Sequence, residues 1–224
     1  MQPVIGFDMD GVILHSDNLS EGGWIVDAFM RTLREFNIPE TEENARLLYI
    51  SNLRNNAAAF CRKFGIDDAD QLWDRRDKNY IRGKLTALNT GEIELYPDVA
   101  ALRRLARVYP LALVSNSPQL IVDEVVSRFS LEALFPIAIG RGTTLSELRF
   151  AKPAPDMLER MKKAVGAKSG CYVGDQPEDA QAARAAKLVP ITISRDGKNG
   201  DIRTLAELEQ TIKRLNLACV NPTE

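Results

Sequence analysis

The sequence predicts an α/β fold in which a parallel sheet is interrupted, after its first strand, by a helical insertion. A short apolar run at residues 4–7 ends in acidic residues, which is typical of a buried strand with polar residues at its carboxyl end. Residues from about 20 to 88 contain only apolar patterns of helical period. From about residue 97 onward, apolar runs alternate with amphipathic stretches, which predicts βαβ units with helices on both faces of the sheet.

Four helices are predicted in the insertion. Trp24, Phe29 and Phe36 lie on one apolar face of the first, and we expect them to form the insertion's own core. Breaks are predicted at residues 37–39 and 65–67. The four helices cover residues 24–36, 44–50 (preceded by Thr41), 55–64 and 69–85.

The second part of the chain is predicted to complete the sheet. Asp98 is expected to cap a helix over 99–108, and Ser117 is expected to cap a helix over 119–129 with Pro118 at its first position. The remaining predicted strands are 111–114, 137–139, 171–173 and 189–193, and the remaining helices are 154–165, 178–186 and 204–215. We therefore expect residues 1–15 and 93–224 to form the α/β core and residues 16–92 to form the helical insertion.

Composition and charge limit the possible partners. The 224 residues allow one large domain or a core with a smaller companion. With 29 basic and 31 acidic residues the net charge is −2, so we expect neither nucleic acid nor a membrane as a partner. The sequence starts without an apolar signal segment, and no uncharged stretch could span a bilayer. Cys61, Cys171 and Cys219 are scattered, which argues against disulfides or a zinc cluster and favours the cytoplasm.

Polar residues follow several of the predicted strands. The first strand ends in Asp8-Met9-Asp10-Gly11, a later one ends in Ser115-Asn116-Ser117, and Asp175 follows residues 171–174, with Asp179 four positions on. Ligands bind beyond the carboxyl ends of strands in parallel sheets, so these side chains are expected to converge. A single aspartate at such a place is more often a cap or a turn residue, but several converging carboxylates need a cation.

The expected cation is Mg²⁺, because carboxylate and carbonyl oxygens are the ligands that it prefers. The hydroxyl of Ser115, backbone N–H groups at a helix start and the ammonium of Lys152 would face the same place. Such a set of donors suits a phosphoryl group.

Four segments, FDMDG, LVSNS, AKPAPD and GDQPED, resemble in this order the four motifs of the haloacid dehalogenase superfamily. The resemblance covers about residues 3–15 and 93–200, and the insertion resembles the helical cap of that family's phosphoglycolate phosphatase and β-phosphoglucomutase-like branch. It implies a Rossmann-like sheet and a phosphatase that works through a phospho-aspartate with Mg²⁺. The implied substrate is a small phosphorylated metabolite, and phosphoglycolate, sugar phosphates and nucleoside monophosphates all stay open.

The resemblance also implies the roles of individual residues. Asp8 would be the nucleophile, and Asp10 would act as general acid and then as general base. Asp8, the backbone carbonyl of Asp10 and Asp175 would bind the metal, while Asp179 would orient metal-bound waters or Lys152. The implied substrate-binding and charge-stabilising residues of the core are Gly11, Ser115, Asn116 and Lys152.

Three alternatives stay open. Related phosphosugar mutases carry a cap histidine where this chain has Ser20, and the chain's one histidine is His15, so hydrolysis is favoured. Dehalogenases of the superfamily need neither Mg²⁺ nor the second aspartate, and the presence of Asp10 and Asp175 argues against them. A catalytically silent module with the same fold would have no need of all four motifs.

A few residues outside the motifs are assigned separately. His15 is expected to be an exposed polar residue, Cys171 is expected to be inert packing, and Arg75, Arg76 and Lys78 are expected on a solvated helix face. Arg54 lies in a polar stretch of the insertion and is the candidate to bind a second anionic group of the substrate, or else a surface arginine. The oligomeric state is not predicted.

Overall fold

Five parallel strands form the central sheet in a computed structural model that describes residues 2–16 and 23–215. Together with a separate two-stranded pair, the described residues contain seven strands: β1 (Val4–Phe7), β2 (Leu14–His15), β3 (Glu94–Leu95), β4 (Leu111–Pro118), β5 (Ile137–Arg141), β6 (Gly170–Gly174) and β7 (Val189–Thr192). The sheet has the order β5-β4-β1-β6-β7, and β2 pairs with β3 separately. The α/β prediction with a parallel sheet is confirmed.

The register of the ladder decides where the site lies. Phe7 of β1 is aligned with Leu113 of β4 and with Val173 of β6, so these three strands end at one edge of the sheet. All four residues of β1 and all five of β6 are buried, as expected for central strands that are covered on both faces. The residues that follow these strands are thereby held close together.

Nine α-helices are found in the described residues. They are α1 (Trp24–Glu35), α2 (Glu42–Arg46), α3 (Ile50–Phe64), α4 (Ala69–Thr90), α5 (Leu102–Leu105), α6 (Gln119–Arg128), α7 (Asp156–Val165), α8 (Pro177–Ala185) and α9 (Leu208–Arg214). Short 3₁₀ turns cover Pro97–Ala101, Leu145–Phe150 and Leu205–Glu207. Within the described ranges, no helix combines the length and the apolar character needed to cross a membrane.

Two predicted helix caps are wrong. The turn after β3 is a 3₁₀ turn, and Tyr96, not Asp98, is the residue before it. The Asp98 side chain accepts hydrogen bonds from Arg195 Nη1 at 2.5 Å and from Leu205 N at 2.8 Å. Ser117 lies inside β4, which extends to Pro118, and its hydroxyl donates to Asp10 rather than to a helix N–H. In both cases a long-range partner takes the side chain that was expected to bond locally.

The chain divides into two compact units. Of the described residues, unit 1 contains 2–15, 95–141 and 150–215, and unit 2 contains 16, 23–94 and 142–149. The segment 142–149, which was expected in the core, thus groups with unit 2. The reason is visible at Thr143, whose carbonyl accepts a hydrogen bond from Trp73 Nε1 at 2.7 Å.

Unit 2 has its own aromatic core, packed between α1 and α4. Trp24 and Phe29 of α1 are buried there, and the Trp24 and Tyr80 rings meet edge-on at 5.2 Å. Phe36 is half-buried. The prediction for these aromatic residues is therefore confirmed for the first two and holds in part for Phe36.

The prediction of a solvated face at Arg75, Arg76 and Lys78 is wrong for Arg76. Its side chain is 2% exposed, donates to Leu48 O at 3.0 Å and pairs with Asp77 at 3.1 Å. The guanidinium also stacks over the Phe29, Trp73 and Tyr80 rings. Aromatic faces and a buried carboxylate compensate for the loss of water around the charge.

Candidate active site

Asp8 follows β1 directly and is held by the sheet ladder. Its N–H donates to Val173 O at 2.8 Å, which continues the pairing of β1 with β6 by one residue. The residue is 8% exposed. The carboxylate therefore lies at the carboxyl edge of the sheet with little freedom of its backbone.

Lys152 joins the aspartates at this edge. Its Nζ lies 2.8 Å from Asp8 Oδ1 and donates a hydrogen bond of 2.6 Å to Asp179 Oδ1. It donates a second hydrogen bond, 2.8 Å long, to the hydroxyl of Tyr172. The lysine side chain is 2% exposed, so these contacts replace its hydration.

Three carboxylates of unit 1 can share a cation. Ligand atoms of Asp8, Asp175 and Asp179 all lie within 4.8 Å of one another. Both oxygens of Asp179 are taken, one by Lys152 and the other by Gln176 N at 3.0 Å. Asp175 Oδ2 accepts from Gln176 Nε2 at 2.6 Å, but Asp175 Oδ1 is buried and accepts no hydrogen bond from any described residue. Asp175 thus keeps an oxygen without a hydrogen bond for a metal, whereas each oxygen of Asp179 already accepts one.

Burial and mutual repulsion change the titration of this cluster. Burial raises the pKa of Asp8 to about 8; Lys152 opposes the rise, and the carboxylates Asp179 and Asp175 add to it. Burial and the neighbouring Asp179 likewise raise the pKa of Asp175 to about 6. Burial alone would lower the pKa of Lys152, but Asp179 and Asp8 raise it well above its usual value, so this lysine stays charged. The carboxylates hold more negative charge than one lysine neutralises.

Asp10 and Gly11 form a tight turn after Asp8. Asp10 Oδ2 accepts a hydrogen bond of 3.2 Å from Ser117 Oγ. Gly11 has a φ of +74°, and a Cβ at this position would lie 2.5 Å from Asp175 Oδ2. Only glycine avoids both the left-handed strain and the clash with the carboxylate.

Ser115 and Asn116 lie in the last part of β4, and both side chains form hydrogen bonds there. Ser115 is buried and its Oγ accepts from Ser117 N at 3.1 Å. The Asn116 side chain binds the backbone of Lys152 on both sides, with Nδ2 donating to Lys152 O at 3.0 Å and Oδ1 accepting from Lys152 N at 2.9 Å. The Asn116 side chain therefore holds the backbone of Lys152. The phosphoryl contact that was predicted for Asn116 involves its backbone N–H, which these hydrogen bonds do not use.

Sequence reasoning gave two residues no role in this site. Ser117 connects Asp10 to Ser115 through its hydroxyl and its N–H. Tyr172, inside β6, contacts Lys152, and its hydroxyl also donates to Val114 O at 2.5 Å. The only signal for Tyr172 was a phenol in an otherwise apolar buried strand, where a hydroxyl needs a partner.

Three described residues were singled out outside the core motifs. Arg54 belongs to unit 2 and lies within α3, half-buried, rather than in a loop. His15 is exposed as predicted, with its ring 5.1 Å from that of Tyr96. Cys171 is buried, and burial raises its pKa to about 12, which agrees with inert packing. Ser20 and Cys219 are outside the described residues.

Two known proteins of similar sequence are named phosphoglycolate phosphatase. The phosphoglycolate phosphatase of Aliivibrio fischeri is 32% identical over 195 residues, which cover 82% of this chain and 80% of the relative. The phosphoglycolate phosphatase of Pasteurella multocida is 30% identical over 193 residues, which cover 82% and 81%.

Two solved structures have the same fold. The crystal structure of a predicted phosphoglycolate phosphatase from Haemophilus somnus 129pt superposes with a TM-score of 0.67 at 22% identity and covers 94% of this chain and 97% of that chain. That of a putative β-phosphoglucomutase from Thermotoga maritima has a TM-score of 0.62 at 19% identity and covers 96% and 100%. At these identities the likeness shows the fold alone. The model of the haloacid dehalogenase-like hydrolase family, however, matches residues 3–187, and the chain therefore belongs to this family of hydrolases.

Proposed function

We propose that this hydrolase is a Mg²⁺-dependent phosphatase that cleaves a small phosphomonoester through a phospho-aspartate at Asp8. The observation that carries the proposal is the contact of Asp8 with Lys152 beside Asp175 and Asp179. Here a buried carboxylate lies next to one cation and in a surplus of negative charge. Such an arrangement suits a nucleophile whose repulsion from phosphate must be screened.

The residues present fit a hard divalent cation. The buried Asp175 Oδ1 accepts no hydrogen bond from the described residues, and burial, to which the nearby Asp179 and Asp175 add, raises the pKa of Asp8 because its anion is unfavourable there without a cation. Asp8, Asp175 and the backbone carbonyl of Asp10 would hold Mg²⁺, with oxygen atoms only. When bound, the ion would screen the charge between Asp8 and the phosphoryl oxygens.

The chain's own residues would perform the remaining steps. Asp8 attacks phosphorus, and the bond to the leaving oxygen breaks as the phosphoryl group moves to the carboxylate. Asp10, oriented by the Ser117 hydroxyl, gives a proton to the leaving alkoxide and later takes one from the water that hydrolyses the phospho-aspartate. Lys152, Ser115 and the N–H of Asn116 bind the phosphoryl oxygens and stabilise their charge. Asp179 holds Lys152 in place through its 2.6 Å hydrogen bond.

Phosphoglycolate is the first substrate to test. The two curated relatives described above are named phosphoglycolate phosphatases. This molecule carries a carboxylate besides its phosphate, and a guanidinium binds a carboxylate through two parallel hydrogen bonds. In this proposal Arg54 of unit 2 binds that second anionic group, and the helical insertion selects the leaving group.

The test is phosphate release from p-nitrophenyl phosphate and from a panel of metabolite phosphates that includes phosphoglycolate. The proposal expects release with Mg²⁺ and its loss with EDTA. Conversion of one phosphosugar isomer to another without net phosphate release would indicate a mutase. Metal-independent release of halide from a 2-haloacid would indicate a dehalogenase, and no turnover of any substrate would indicate a silent module.

A further inference from the structure

Tyr172 has a defined place in the site that the proposed mechanism does not use. It is 1% exposed and lies in β6, two residues before Gly174. Its hydroxyl accepts a hydrogen bond of 2.8 Å from Lys152 Nζ and donates one of 2.5 Å to Val114 O. Val114 immediately precedes Ser115, so one phenol contacts both the lysine and the strand that carries the serine.

The direction of this hydrogen-bond chain is fixed. A carbonyl oxygen can only accept, so the hydroxyl hydrogen of Tyr172 points at Val114 O. Burial, as the largest cause, raises the pKa of Tyr172 well above its usual value, so the hydroxyl keeps this hydrogen. The oxygen is therefore left to accept from the ammonium of Lys152.

The same contacts fix the rotation of the ammonium. Of its three N–H bonds, one is directed at Tyr172 and one at Asp179 Oδ1. The same ammonium also lies 2.8 Å from Asp8 Oδ1, in an ion pair with the proposed nucleophile. With two N–H directions fixed, the tetrahedral geometry of nitrogen determines the third.

We infer that Tyr172 is a positioning residue for Lys152. Together with Asp179, it holds the ammonium against Asp8, so that the positive charge is in place where the phosphoryl group is transferred. The inference rests on the proposed phosphatase function, because it assigns Asp8 as the residue that accepts the phosphoryl group. Preorganised donors of this kind act on the transition state more than on the bound substrate, since charge is redistributed there.

The competing explanation is that Tyr172 only fills the core and satisfies Val114 O. The two explanations differ in what Tyr172→Phe does, because phenylalanine keeps the ring and loses only the hydroxyl. If Tyr172 positions Lys152, kcat for p-nitrophenyl phosphate falls on the order of 10-fold while KM changes less than about 2-fold. If Tyr172 is only structural, the melting temperature falls and kcat of the folded enzyme stays within about 2-fold of wild type.

Tyr109→Phe is the matched control. Tyr109 belongs to the same unit but precedes β4, at the amino edge of the sheet and away from the carboxyl edge where Lys152 lies. Tyr109→Phe also loses one phenol hydroxyl, and the kcat of this variant should equal that of wild type. Should Tyr172→Phe not fold, a fluorinated tyrosine at position 172 keeps the shape and weakens the oxygen as an acceptor, and the same fall in kcat is expected.

A second measurement does not depend on turnover. In protein with ¹⁵N-labelled lysine, the buried ammonium of Lys152 should give a slowly exchanging NMR signal, identified by its loss in Lys152→Met. We expect a nuclear Overhauser effect between this ammonium and the Tyr172 ring, and a shifted or broadened ammonium signal in Tyr172→Phe.

The kinetic and NMR measurements together distinguish a failure of the phosphatase proposal from a failure of the role of Tyr172. A wild-type protein that releases no phosphate refutes the proposed function, whatever the NMR signal shows. An active wild type in which Tyr172→Phe retains full kcat, or in which the ammonium shows no contact with the ring, overturns the role of Tyr172 and leaves the phosphatase proposal intact.

Discussion

Buried carboxylates that share one site hold their protons to unusually high pH, and Asp8 illustrates the consequence. Its pKa is about 8 in the folded protein and 3.8 in an ordinary exposed aspartate. Between these values the folded state binds more protons than the unfolded chain, so the free energy of unfolding of the metal-free protein falls as pH rises. The proton stabilises this site at low pH and is lost as pH approaches about 8.

A divalent cation competes with those protons, which gives a pH-dependent prediction. The increase of melting temperature on adding Mg²⁺ should be small at about pH 5 and should grow up to about pH 8, because the carboxylates become available as they lose protons. Thermal unfolding with and without Mg²⁺ at three pH values measures this. A Mg²⁺ effect that is absent, or that is largest at low pH, would refute the metal assignment.

Arg54 supplies the prediction about specificity. If its guanidinium binds a carboxylate of the substrate, Arg54→Ala should cost about 2–4 kcal/mol in kcat/KM for an anionic metabolite such as phosphoglycolate. The loss on p-nitrophenyl phosphate should be small, since this substrate has no second anion. Steady-state kinetics on both substrates from one preparation measures the difference.

Arg62→Ala is the control for this prediction, because Arg62 is an exposed arginine of the same helix, α3. It should change neither substrate's kcat/KM. Equal losses on both substrates in Arg54→Ala would instead indicate that Arg54 stabilises unit 2.

At the residue scale the sequence is informative about charges and much less so about their partners. Asp8 and Asp175 were predicted to meet because they follow strands that end at one sheet edge, and Lys152 was expected to face the same place; the three lie together. The hydrogen bonds between the Asn116 side chain and the Lys152 backbone join residues 36 positions apart, so local patterns do not predict them. Arg76 shows the opposite failure: helical spacing puts it on the face of Trp73 and Tyr80, but its charge suggested solvent.

At the scale of elements, Arg195 connects three segments of unit 1. Its guanidinium lies 3.8 Å from the centre of the Tyr96 ring, donates to Asp98 Oδ2 at 2.5 Å and donates to Val12 O at 2.6 Å. Val12 follows the turn that carries Asp10. The loop after β7, the 3₁₀ turn after β3 and this turn are thus held by one side chain.

Arg195→Ala should therefore lower the free energy of unfolding by about 1.5–3 kcal/mol, since charge-assisted hydrogen bonds of a half-buried group are lost. Chemical denaturation measures this. Lys198→Ala is the control in the same loop, because its ion pair with Asp196 is 3.3 Å long and its side chain is 80% exposed. That change should cost less than about 0.5 kcal/mol, and a similar loss in both variants would contradict the account.

Two helix boundaries in the insertion were predicted wrongly. Helix α4 ends at Thr90 and is capped by Gly91, which has a φ of +77°, a position that favours glycine. The sequence prediction stopped this helix at residue 85, before its buried residues Ala87 and Leu88. It also predicted separate helices at 44–50 and 55–64, whereas α3 begins at Ile50. This error placed Arg54 in a loop between two helices.

At the scale of the whole molecule, the sequence pattern predicted the helical insertion after β1 and the change to alternating strands and helices. The membership of residues 142–149 was not, because it depends on the hydrogen bond from Trp73 to Thr143, which are 70 residues apart. Hydrophobic period predicts which face of an element is buried, but it does not predict which distant segment covers that face.

The central claim is that Asp8 is the nucleophile of a phosphatase, and Asp8→Asn tests it most directly. The substitution keeps the shape of the side chain and removes the anion that attacks phosphorus, so Mg²⁺-dependent phosphate release should fall on the order of 10³-fold or more. The melting temperature without metal should not fall, because the neutral amide replaces a carboxyl group whose charged form is unfavourable when buried, as its raised pKa shows. A folded Asp8→Asn protein that retains more than about a tenth of the wild-type rate would contradict the account.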